Sequence, residues 1–187
     1  MGSTTPPHPA TEPELSAGVA AADRAMVAAQ LGRPPRGLHA VAHRCPCGEP
    51  DVVQTTPQLP DGTPFPTTFY ATCPRLTAAI STLESEGVMR GMEERLGHDP
   101  ALATAYTAAH EDFLARRATL GEVEQLAGIS AGGMPTRVKC LHVLVAHSLA
   151  TGPGINPLGD EALAMLGPWW VPRSCATALG APPPEGA

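Results

Sequence analysis

The chain has 187 residues, 43% of them hydrophobic but only 4% aromatic, and carries a net charge of −6. That length supports one domain with a real hydrophobic core, built mainly from Leu, Val, Met and Ala. The acidic balance excludes nucleic acid as a default partner, because phosphate binding needs a cationic face, and no apolar run reaches the length of a membrane span.

The first thirteen residues and the last six are rich in Pro, Thr, Gly and Ala and show no apolar period. Residues 1–13 and 171–187 are therefore expected as disordered tails around one folded domain at 14–170. The start lacks the basic and apolar stretches of a signal peptide. A cytoplasmic location follows, where the 5 cysteines should be thiols or metal ligands rather than disulfides.

A first helix is expected at residues 12–31, opened by a capping box at Thr11 and Glu14 and stopped by Gly32. Three strands follow, at 38–44, 51–56 and 67–72, with a turn at Asp61-Gly62 between the last two. Pro74 suits the first position of a helix that Gly87 or Gly97 can end. Asp99-Pro100 opens another helix, reaching residue 118, and a short helix is expected at 122–127. Pro135 is read as the start of an apolar helix running to residue 150, and Asp160 as the cap of a last short one. The predicted class is α+β: a small antiparallel three-stranded sheet packed with five to six helices.

Four cysteines stand where chemistry is expected. Cys45-Pro46-Cys47-Gly48 ends the first strand in a stiff turn, Cys73 closes the third strand, and Cys140 falls in the first turns of the apolar helix. A helix N-terminus favours the thiolate, the form that ligates metal or attacks as a nucleophile. Cys45, Cys47, Cys73 and Cys140 are the predicted metal ligands; Cys175, beyond the last helix, is left out. Each segment carries a cation, Arg44, Arg75 or Lys139, that can offset crowded thiolates or hold an anion. Zinc and an iron–sulfur cluster both accept four thiolates. The Cys-Pro pairs at 45–46 and 73–74, with no zinc knuckle, favour the cluster. His43 and His142 are read as groups beside the ligands, and buried free cysteines are the plain alternative for all four.

Ser130-Ala131-Gly132-Gly133-Met134-Pro135 feeds the same helix. Its Gly132 and Gly133 amides, with Arg137 and Lys139, are read as a cradle for a small anion. The Walker A spacing is absent.

Taken together, Gly32-Arg33-Pro34-Pro35-Arg36-Gly37, Arg44-Cys45-Pro46-Cys47-Gly48, Asp61-Gly62-Thr63-Pro64-Phe65-Pro66-Thr67, Ser130 to Pro135 and Arg137-Val138-Lys139-Cys140-Leu141-His142 resemble the actinobacterial family called domain of unknown function 501. Gly152-Pro153-Gly154, Asn156-Pro157 and Gly159-Asp160 belong to the same pattern. The resemblance brings no activity with it. It implies genes near a septum-formation initiator, enolase and an exopolyphosphatase, and so a cytoplasmic housekeeping role linked to division or phosphate metabolism. Three functional readings stand at this point. The first is a metal or iron–sulfur protein handling a small anionic ligand. The second is an adaptor with a structural zinc site and a division-related protein partner. The third is a metal-free thiol-redox protein using the Cys45/Cys47 pair.

Overall fold

The sheet is the frame on which the cysteine segments hang. The structure, a computed structural model, describes residues 18–171 and Cys175. Strand β1 (Leu38–Arg44) pairs antiparallel with β2 (Pro50–Thr55), and β2 pairs antiparallel with β3 (Phe69–Ala71), in the order β1-β2-β3. Neighbouring residues of β2 point to opposite faces, so Val53 and Val52 enter different cores. Helix α1 (Ala21–Leu31) covers the Val53 face, where Val19, Val27 and Leu38 join it. All other helices build on the Val52 face.

The hairpin turn between β1 and β2 holds Cys45 and Cys47. It closes through Cys45 N–H to the Glu49 carbonyl at 3.0 Å and Gly48 N–H to the Cys45 carbonyl at 2.8 Å. Gly48 lies at φ 89°, a left-handed conformation that a side chain would strain. Between β2 and β3 the Asp61-Gly62 turn forms as expected. Gly62 N–H bonds the Leu59 carbonyl, and Asp61 Oδ1 accepts the Thr63 amide at 2.9 Å.

Helix α2 (Pro74–Ser85) starts with Pro74 in its first turn and Cys73 as its N-cap residue, leading through Gly87 into α3 (Val88–Leu96). Helix α4 (Pro100–Ala118) is capped by Asp99, whose carboxylate accepts the Ala101 and Leu102 amides at 3.0 Å. Its Tyr106, Ala109, Phe113 and Arg117 are buried at helical spacing. The 3-10 turn Glu124–Leu126 follows. Buried Arg117 has no carboxylate partner among the described residues and instead donates to the Ile129 and Leu126 carbonyls, both at 2.6 Å. That guanidinium holds the following loop against the helix.

Helix α5 (Leu141–Thr151) is the central element, packed on α6 (Pro157–Met165), β3 and α2. Leu141, Leu144, Val145, Ala146, His147 and Ser148 of α5 are all buried. His147 stacks on Phe69, with ring centroids 5.7 Å apart. It donates from Nε2 to Asp112 Oδ2 at 2.9 Å and accepts from Asn156 Nδ2 at 3.3 Å. No helix among the described residues is long and apolar enough to cross a membrane.

Several expectations need correcting at this level. Helix α1 begins at Ala21, so Val19 precedes it, and the Thr11/Glu14 capping box lies outside the described residues. Helix α5 begins at Leu141 rather than Pro135. The backbone before it is held by Arg137 N–H to the Gly133 carbonyl and Lys139 N–H to the Gly132 carbonyl, at 2.9 and 2.8 Å. Asn156, not Asp160, caps α6; its side chain accepts the Gly159 amide at 3.0 Å while Asp160 accepts that of Gly154 at 2.7 Å. The few aromatics also matter more than composition suggests. Phe69, Tyr106 and Phe113 are all essentially buried, because burying one large ring removes as much apolar surface as several small residues.

Candidate functional site

Three segments bring thiols together. The β1–β2 turn supplies Cys45 and Cys47, the α2 N-cap position supplies Cys73, and the segment beyond α6 supplies Cys175. The Cys175 sulfur lies 3.3 Å from that of Cys73 and 3.9 Å from that of Cys45. Cys45 and Cys47 are joined as a disulfide, with Cα atoms 5.3 Å apart. Cys45, Cys73 and Cys175 are at most 3% exposed, and Cys47 is half-buried. One donor atom each from Cys45, Cys47 and Cys175 falls within 4.8 Å of the others, close enough for one metal ion. A cysteine cluster that can hold a metal is therefore present.

The charges around it are arranged differently from the simple sequence picture. Arg44 is turned away to Asp23, which it grips through two bonds at 2.8 and 2.6 Å. Arg75 donates to the Val171 carbonyl and still acts on the cluster, lowering the Cys175 thiol. Burial and then the neighbouring Cys73 outweigh it and push Cys175 up to about 12. His43 is no ligand in this arrangement; its Nδ1 donates to Asp51 Oδ1 at 2.6 Å. Asp51 is fully buried, and its other carboxylate oxygen has no hydrogen-bond partner among the described residues.

Cys140 stands in a second group, with Glu84 and His142, whose donor atoms also lie within 4.8 Å of one another. Cys140 is the N-cap residue of α5. Glu84, near the end of α2, accepts the Leu141 amide at 2.7 Å and the His142 Nδ1 proton at 3.2 Å. His142 Nε2 faces the Thr77 carbonyl at 3.2 Å. Burial raises the Cys140 thiol, but hydrogen bonds from His142 and the Val143 amide outweigh it and hold it below the ordinary thiol range. His142 is in turn pushed up to about 9, first by its bond to Cys140, with Glu84 adding against the cost of burial.

Of the predicted ligands, Cys45 and Cys47 lie with Cys175 in one group of close donor atoms, Cys73 meets that group through Cys175 at 3.3 Å, and Cys140 stands with Glu84 and His142. Two residues of these groups are missing from the sequence reading. Cys175, left out because it lies beyond the last helix, stands sulfur to sulfur with Cys73 and Cys45. Glu84 looked like any solvated helix glutamate; only its approach across 57 positions to Leu141 gives it a role. The Gly132–Gly133 turn does not open α5 directly, and the first amide of that helix is already taken by Glu84. Arg137 and Lys139 are exposed and form no ion pair with a described residue. Gly133, at φ 95°, is required where it stands: a Cβ there would meet the Arg137 carbonyl oxygen at 2.8 Å.

No curated protein and no solved structure matches the chain. A family model described as "Protein of unknown function (DUF501)" matches residues 41–164. That span includes Cys45, Cys47, Cys73, Glu84, Cys140 and His142, while Cys175 and α1 lie beyond it. More than half of the chain is covered, including every motif that carried the resemblance except Gly32 to Gly37, and the chain belongs to the DUF501 family.

Proposed function

We propose that this protein is a metal-binding protein in which Cys45, Cys47, Cys73 and Cys175 hold one metal centre. The observation that carries the reading is the convergence on Cys175 of the buried sulfurs of Cys45 and Cys73, from two other segments, with Cys47 beside them. Buried thiols can be simple core residues, but such residues have no reason to stand sulfur to sulfur. In a tetrahedral zinc site, a metal–sulfur distance of about 2.3 Å puts neighbouring sulfurs about 3.8 Å apart. The 3.3 and 3.9 Å separations at Cys175 fit that single-ion spacing. Zinc is accordingly the favoured ion.

An iron–sulfur cluster is the second reading, supported by the Cys-Pro pairs at 45–46 and 73–74. The Cys45–Cys47 disulfide adds a property common to both readings. A ligand must be a thiolate, so oxidation of this pair and metal binding exclude each other. Metal held here would tie the Cys175 segment to the β1–β2 turn and to the start of α2.

The test is anaerobic purification with reductant, followed by metal and sulfide analysis and an absorption spectrum. Colourless protein with stoichiometric zinc supports the zinc centre. Iron with sulfide and visible absorption replaces zinc by the cluster. Metal-free protein with freely titratable thiols overturns the proposal.

A further inference from the structure

The Glu84, Cys140 and His142 group lies beside a cleft of about 510 Å³, whose walls include Cys140, His142, Phe69, Tyr70, Gln30 and Thr77. Its hydrogen bonds define the state of the histidine. Glu84 offers a carboxylate oxygen to Nδ1, and Thr77 offers a carbonyl oxygen to Nε2. Neither oxygen can donate, so a neutral imidazole would leave one ring nitrogen facing a lone pair. The imidazolium satisfies both of these contacts, with the Ser81 hydroxyl, 3.4 Å from Nε2, as a further neighbour that can accept from it or donate to it. A cation held in this way, its donor atom within 4.8 Å of the Cys140 sulfur, stabilises a thiolate at the start of α5.

Alternative chemistries fit less well. A metal ion held by Glu84, Cys140 and His142 would have to displace a proton that His142 shares with Glu84 or Thr77. Among the described residues, no second cysteine lines the cleft, which disfavours dithiol exchange within it, and no arginine or lysine lines it, which disfavours a phosphoryl group. An uncharged acyl group meets none of these objections, and a cysteine, a proton-carrying histidine and an orienting carboxylate are what acyl transfer requires.

The geometry points to Cys140 as the nucleophile of an acyl-transfer site in this cleft, with His142 as its acid and base and Glu84 as the positioning residue. The substrate class is a small ester or thioester without a strong negative charge. The Cys140 sulfur attacks the acyl carbon. The new sulfur–carbon bond forms as the bond to the leaving oxygen or sulfur breaks, and that leaving group takes the His142 proton with its electron pair. Neutral His142 then removes a proton from water as the water oxygen attacks the thioester carbon. The carbon–sulfur bond breaks, and thiolate and imidazolium are restored. This site shares no residue with the metal centre and stands independently of it.

The test uses the full chain and p-nitrophenyl acetate, reading nitrophenolate release and the position of the acetyl group by peptide mass mapping. Acetyl on Cys140 is expected, with a rate that rises and then falls with pH as the thiolate forms and His142 near 9 loses its proton. The charged groups acting on the pair are Glu84 of α2 and the pair itself. Cys140→Ala should lower the rate at least tenfold. Glu84→Gln, which keeps an acceptor for Leu141, should bring the falling limb to lower pH. Acetylation of other cysteines alone, or a rate that climbs steadily through pH 9, overturns the proposal. Mapping on the unmutated chain decides the matter even where a variant fails to fold.

Discussion

Glu84 Oε1 accepts the backbone N–H of Leu141 at 2.7 Å, so the end of α2 caps the start of α5. A carboxylate there satisfies one of the open amides and complements the positive end of the helix. Glu84→Ala should cost about 1 kcal/mol of stability, the usual size of a lost cap, and Glu84→Gln clearly less. Urea denaturation of the two variants checks this. Equal losses would mean that the charge, not the acceptor, carries the contact.

His147 is the buried polar knot of the core, donating to Asp112 and accepting from Asn156. His147→Phe keeps the ring stacked on Phe69 but removes one partner from Asp112, which keeps Arg116, and one from the buried Asn156 amide. The expected loss is about 1–3 kcal/mol, the cost of leaving a buried polar group short of a partner. A denaturation midpoint equal to the parent's would contradict this.

The same residue sets an acid limit. Burial, opposed in part by Asp112, holds His147 below its ordinary value of 6.5. The unfolded chain therefore takes up this proton before the folded one does. Its contribution is present above about pH 6.5 and is lost as pH falls below it. Stability should drop as pH falls below 6.5, and the drop should be smaller in His147→Phe. Parallel profiles for the two proteins would assign the acid sensitivity elsewhere.

Gly159 sits where α6 crosses α5, and a Cβ there would run into the Leu144 carbonyl oxygen and the Ser148 hydroxyl. Gly159→Ala should cost about 1–3 kcal/mol, as overpacking does, despite alanine's better helix propensity. Gain of stability on thermal melting would show that the two helices can separate freely.

Much of the frame can be read in the residues themselves. The three strands, the Asp61-Gly62 turn, Pro74 in the first turn of α2 and the whole span of α4 follow from alternation, turn chemistry and capping. These signals are local, and local signals survive folding. The start of α5 did not follow, because residues 135–139 carry a helical apolar pattern yet spend their amides on the Gly132–Gly133 turn. The site was half legible for the same reason. Cys45 and Cys47 declare themselves through their turn. The partnership of Cys73 with Cys175, and of Cys140 with Glu84 and His142, depends on contacts between segments far apart in sequence. Cys140 stands apart from the other predicted ligands, because the packing of α2 against α5 sets Glu84 beside it and His142.

Metal removal gives a thermal prediction. A centre that binds only the folded chain stabilises it by about 2.7 kcal/mol at free metal a hundredfold above Kd. Under reducing conditions, chelation should lower Tm by roughly 5–10 °C, and added zinc should restore it. No change in Tm would separate the cysteines from any structural metal.

The most direct test compares metal content across Cys175→Ser, Cys140→Ser and the unmutated chain, all purified anaerobically with reductant. About one zinc per chain is expected in the parent and in Cys140→Ser, with a marked loss in Cys175→Ser. Metal retained by Cys175→Ser but lost from Cys140→Ser, or thiols free of metal throughout, would contradict a centre built on Cys45, Cys47, Cys73 and Cys175.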